Sequence, residues 1–125
     1  MRAIHDVDEL NLPIKYKKFI SSYLKNIADV SYIDKVILFG SCAKEAVHKF
    51  SDIDIFVAVN RDINEDEEFF ISFHSLPTQL EEYVSADIIV QLHSTFLKYI
   101  NTTCMLQKQI NHFGVDLSGL IHQRS

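Results

Sequence analysis

The run Ile53–Val59, IDIFVAV, restricts this chain more than any other stretch. A nearly continuous apolar run rich in β-branched and aromatic residues reads as a strand in the middle of a sheet, covered on both faces. Yet Asp54 lies inside it and Asp52 two residues earlier. Side chains alternate along a strand, so both carboxylates leave one face, roughly 7 Å apart along the backbone. Ile53, Ile55 and Val57 take the other face. Two ionised carboxylates held together repel, and desolvating them adds to the cost. Magnesium removes both objections, because it is bound by a few carboxylates together with substrate phosphates. The alternative is two acids capping a strand end in water. That suits Asp52, next to Ser51, and suits Asp54 badly.

The stretch before this strand supplies a second feature. Tyr32 to Phe39 reads as another strand and ends at Gly40-Ser41, followed by a short helix to about His48. Glycine lets the backbone approach closely, and a helix start favours an anion. Ser41 either caps that helix or donates to a phosphate oxygen. A third feature is Asp87, at the start of the strand Ala86 to Leu92. If the strands of Asp54 and Asp87 are neighbours, three carboxylates converge. Such a set can hold two divalent ions, which activate an attacking oxygen and neutralise a leaving pyrophosphate.

The remaining elements follow from periodicity. Tyr16, Phe19, Ile20, Tyr23, Leu24 and Ile27 recur at helical spacing and predict a helix over 13–28, started by Asn11 and Pro13. Asp62 or Asn64 opens another helix, whose acids Glu65 to Glu68 sit at its positive end. Its residues Phe69, Phe70, Phe73 and Leu76 are expected to face a core. Pro77 breaks or re-caps it, and Gln79 to Tyr83 continue it. Ser94 caps a helix to Ile100, and a last helix runs from Thr102 or Thr103 to Phe113, stopped by Gly114. Val115 to Leu117 adds a short edge strand. Residues 1–10 are expected to be loosely ordered, and the segment after 117 carries no signal. The chain thus reads as one α/β domain over 1–125, a small mixed sheet flanked by helices.

Composition narrows the classes. With 125 residues, 47% apolar and 23% charged, the chain has the make-up of a globular domain. No apolar run approaches the length of a membrane span, and no signal peptide opens the sequence, so a cytoplasmic protein is expected. A net charge of −5 argues against non-specific nucleic-acid binding. Cys42 and Cys104 form no Cys-x-x-Cys pair, and the six histidines have no ligand spacing. Cys42 is either an acidic thiol at a helix start or simply a small residue.

Taken together, FGSCAKEAVHKFSDIDIFV resembles the signature of the DNA polymerase beta-like nucleotidyltransferase superfamily. Phe39, Gly40, Ser41, Asp52, Ile53, Asp54 and Ile55 match its Gly-Ser turn and Asp-hydrophobic-Asp-hydrophobic pair, and Asp87 matches its third carboxylate. Length and element order are similar to the stand-alone minimal nucleotidyltransferases. The resemblance implies a nucleoside triphosphate, usually ATP, and two Mg2+ ions held by Asp52, Asp54 and Asp87. It also implies that Asp87 helps take the proton of the attacking group, and that Gly40 and Ser41 hold the β- and γ-phosphates. The relatives carry Arg-Gly where this chain has Lys44-Glu45. Lys44 keeps the positive charge for the phosphates without the planar fork of arginine. Glu45 points to solvent, pairs with Lys49, or faces the pocket and weakens nucleotide binding.

The resemblance implies transfer of a nucleoside monophosphate, AMP from ATP, to a hydroxyl. In stand-alone members the acceptor or target is an all-helical HEPN-type partner, the protein acting as antitoxin of a two-gene module; a homo-oligomer is the other candidate assembly. Two alternatives stand beside this reading. One is a binding module that neutralises a partner by occlusion, and the other is an antibiotic-type small-molecule nucleotidyltransferase.

Overall fold

In the computed structural model, which describes residues 1–44, 52–73, 84–102 and 105–121, the Ile53–Val59 run is indeed an interior strand. The strands are β1 (Arg2–Ala3), β2 (Ile33–Phe39), β3 (Ile53–Val59), β4 (Ala86–Leu92) and β5 (Val115–Asp116). They form one mixed sheet in the order β1-β5-β2-β3-β4. β3 pairs antiparallel with β2 and parallel with β4. The helices among the described residues are α1 (Ile14–Ile27), α2 (Gly40–Ala43), α3 (Glu65–Phe73), α4 (His93–Ile100), α5 (Met105–Phe113) and α6 (Ser118–Ile121).

Alternation along β2 and β3 divides the apolar residues between two cores. Val36, Leu38, Ile53, Ile55, Val57 and Val59 join the larger one, which also takes the buried face of α1. All six apolar positions read from the α1 periodicity are buried. Ile37, Phe56 and Ala58 point the other way and pack with Phe96 of α4 and Ile110 of α5. Phe56 and Phe96 meet with ring centroids 4.8 Å apart. Each such fully buried side chain is worth about 1.5–3 kcal/mol of transfer free energy. By the same alternation, Asp54 lies on the α4/α5 side of the sheet.

Several local expectations are corrected. Residues 1–10 are anchored rather than loose: β1 pairs parallel with β5, and Ile4 and Leu10 are buried apolar pegs in an otherwise polar segment. Asp6 and Glu9 close a capping box there, with the Glu9 carboxylate accepting from the backbone N–H groups of His5 and Asp6. These hydrogen bonds hold the Glu9 carboxyl below its ordinary value. With β1 outside it, β5 is not an edge strand. Asn11 does not cap α1; Pro13 occupies the N-cap, and its carbonyl accepts from Tyr16 and Lys17.

Farther along, Asn64, not Asp62, starts α3. Its side chain accepts from the Glu67 N–H at 2.9 Å and Glu67 reaches back to the Asn64 N–H at 3.1 Å. Phe69 is 63% exposed, whereas Ile71 is buried and Phe70 packs against the core. Ile71 is held by Tyr23, whose hydroxyl donates to its carbonyl at 2.8 Å. The helix α4 begins at His93 with Leu92 as N-cap, so Ser94 does not cap it. Thr102 closes α4 instead, its hydroxyl donating to the Tyr99 carbonyl, and α5 begins at Met105. Residues 118–121 do have structure: they form α6, which is fastened by Ser118. Its hydroxyl accepts from the Val36 N–H, and its own N–H donates to Asp116 Oδ1, both at 2.9 Å. The expectations for the second half of the helix after Gly40, and for Leu76, Pro77 and Gln79 to Tyr83, lie outside the described residues.

Candidate active site

The register of the sheet assembles the site. Phe39, the last residue of β2, is paired with Asp54 of β3, and Asp54 with Asp87 of β4. A row across three strands therefore places two carboxylates side by side at one sheet end, on strands about 4.7–4.9 Å apart. Pairing in register puts both on the same face of the sheet. Asp52 is exposed, two residues before Asp54.

Gly40 completes the row from the β2 side. Its φ is +72°, a left-handed conformation that favours glycine. A Cβ built on it would overlap the carboxylate of Asp54, so the turn and the acid are in direct apposition. Here glycine is needed twice over, for conformation and for room. Ser41 follows in the first turn of α2, half-buried, and Lys44 closes that turn through its N–H to the Gly40 carbonyl. The Lys44 side chain is exposed and rests over the Phe113 ring, 4.9 Å from its centroid.

The charge balance is one-sided. Burial pushes the Asp54 carboxyl above its ordinary value, and the neighbouring Asp87 and Asp52 push it further. Both charges that act on it are carboxylates. Cys42 is not an acidic thiol. It is fully buried and its Sγ donates to the Asp52 carbonyl at 3.6 Å. Burial, then Asp54 and Asp52, push its pKa up to about 11. Its role is packing in the core beneath Asp52. On α1, the Tyr16 hydroxyl is also raised, by burial and then by Cys42 and Asp52, so this helix borders the site from the other face.

A metal ion is implied by the resemblance, and the acids themselves test the fit. Among the described residues, no three His, Cys, Asp or Glu side chains stand close enough to cage an ion as they are arranged. The half-buried Asp54 and the exposed Asp87 and Asp52 nonetheless form a set of hard oxygen donors whose charges repel at Asp54. A divalent cation relieves that condition, and oxygen donors suit Mg2+. The donor set fits. Among the described residues, His93 stands at the other end of β4, with Nδ1 3.0 Å from Asp34 Oδ2.

Phe113 is the residue that the sequence reading passed over. Its only signal was a bulky aromatic directly before the Gly114 stop. Gly114 itself does not end α5 in a left-handed turn; it is required because a Cβ there would collide with Ile37 and the Ile110 carbonyl. That close approach presses the end of α5 onto β2.

A mixed sheet whose neighbouring strands β3 and β4 bring two acids into one row, beside a strand-to-helix glycine turn, defines an α/β domain of the nucleotidyl-transfer class. The chain matches the family described as Polymerase beta, Nucleotidyltransferase over residues 18–117, and it belongs to that family. No curated protein matches the chain. No helix among the described residues is long and apolar enough to cross a membrane.

Proposed function

We propose that the protein is a magnesium-dependent nucleotidyltransferase that moves a nucleoside monophosphate, AMP from ATP, onto a hydroxyl group. The observation that carries this reading is the in-register pair Asp54 and Asp87 beside Gly40, with a carboxyl pushed up by its acidic neighbours. Asp52 and Asp54 would hold two Mg2+ ions, with Asp87 as the third ligand. When bound, the ions neutralise the triphosphate and the leaving pyrophosphate. The protein's own contribution is placement. Gly40 lets the triphosphate approach the backbone beside Asp54, Ser41 offers a hydroxyl donor, and Lys44 adds a cation at the rim. Asp87 is exposed on its strand, open to an incoming acceptor whose proton it can accept.

The acceptor is best read as a hydroxyl on a protein. The resemblance to stand-alone minimal nucleotidyltransferases supports an all-helical HEPN-type partner and an antitoxin role in the cytoplasm. The test is to incubate the protein with labelled ATP, Mg2+ and the product of the neighbouring gene. Label on that product, abolished by Asp52→Asn together with Asp54→Asn, is the expected result. Label that survives the double change removes these acids from the reaction. Tight partner binding with no label under any condition favours neutralisation by occlusion, and label on a small-molecule hydroxyl alone favours an antibiotic-type enzyme.

A further inference from the structure

We propose that Phe113 is the positioning residue for Lys44: its ring holds the ammonium at the rim of the acidic row, ready for the triphosphate of a bound nucleotide. This rests on the nucleotide reading above. Three placements support it. First, Leu38 of β2 pairs with Val115 of β5, so Phe113 and Gly114 come level with Phe39 and Gly40, at the sheet end that carries Asp54. Second, the ring is 51% exposed although it is a large apolar group at the end of a packed helix. It is thus placed at the surface rather than used to fill a core. Third, its surroundings are polar. The Lys44 ammonium stands over the ring at 4.9 Å, and the His112 ring meets it edge-on, centroids 4.5 Å apart and planes at 87°.

The physical need is plain. A lysine is a point charge on a flexible stem, and fixing its rotamers costs entropy. Lys44 lies one turn from Gly40 and carries the charge opposite to the row's, yet the charges that act on Asp54 are those of Asp87 and Asp52, not the ammonium. An aromatic face attracts an ammonium within about 6 Å of its centroid. Phe113 offers that face outside the row. It holds the charge near the phosphates without letting it neutralise the acids. The lysine therefore replaces the missing arginine fork with a point charge aimed by a ring on another helix.

The experiment measures the affinity of the full chain for ATP and for inorganic tripolyphosphate, each with Mg2+, by calorimetry. Variants are Phe113→Leu, Phe113→Tyr, Lys44→Met and the Phe113→Leu/Lys44→Met pair, with Phe69→Leu as an exposed control. Phe113→Leu is expected to weaken both ligands about two- to fivefold, the size of an exposed cation–π contact, with thermal stability kept. Phe113→Tyr is expected to restore both. The loss in the pair is expected to equal that of Lys44→Met alone, since the ring acts through the lysine. Loss of ATP affinity with tripolyphosphate unchanged overturns the proposal, because the ring would then meet the base. Additive losses in the pair also overturn it. Wild-type protein that binds neither ligand removes the nucleotide reading itself, a result distinct from a wild type that binds both and a Phe113→Leu variant that binds equally well.

Discussion

Asp54 concentrates the conflict between stability and function in one side chain. Its carboxyl binds a proton more tightly in the folded protein than at its ordinary value of 3.8, because of burial and the two acidic neighbours. The folded state is therefore disfavoured as pH rises through the raised pKa. In metal-free buffer at pH 7, Asp54→Asn should melt later than the wild type. A gain of about 2 °C corresponds to the roughly 0.5 kcal/mol typical of a partly exposed substitution. The difference should fade as the pH is lowered through the raised pKa and below the ordinary value of 3.8. A melt no higher than the wild type at pH 7 would refute the account, and activity is expected to be lost in the same variant. Gains in stability from deleting a charged site residue are the usual mark of a functional cluster.

Between elements, a few polar contacts fix how the sheet edges close. Ser118 is the clearest, since it satisfies the backbone N–H of Val36 and is itself buried. Ser118→Ala leaves that N–H unpaired and should cost about 1–3 kcal/mol, seen as an earlier denaturant midpoint with unchanged slope. Beside it, burial raises the Asp116 carboxyl, but hydrogen bonds from Ser118 and Lys35 outweigh it and hold it below its ordinary value. That contribution is present above pH 3.8 and is lost as pH falls through the lowered pKa. None of these contacts was legible in the sequence, because they join residues far apart. The same holds for β1, whose two residues are too few to show a period. Phe69 and Phe70 are equally apolar neighbours in the sequence, so the sequence does not say which of them faces the core. The face that is buried is chosen by Ile71 and the Tyr23 hydroxyl on α1. By contrast, α1 and β3 were legible because 3.6-residue and 2-residue periods are local. The 2-residue period predicts Asp52 and Asp54 on one face, but Asp52 lies before the start of β3, and the register that brings Asp87 opposite Asp54 is a long-range choice.

On the scale of the whole molecule, Asp54 stands where the sheet is paired on both sides. β3 is hydrogen-bonded on both sides and buried on both faces, apart from Asp54. Its amides should exchange with solvent only when the entire domain opens, whereas those of β1 and β5 open earlier. A ligand that grips Asp54 thus grips the last strand to come apart. Mg2+ with ATP, at a hundred times the dissociation constant, should add about 2.7 kcal/mol to global stability in one cooperative transition. A local change in protection confined to the turn after Gly40, with the melting temperature unmoved, would contradict this. Occupancy of the site would then be readable in the lifetime of the folded chain, so that nucleotide supply sets how long each copy survives a protease.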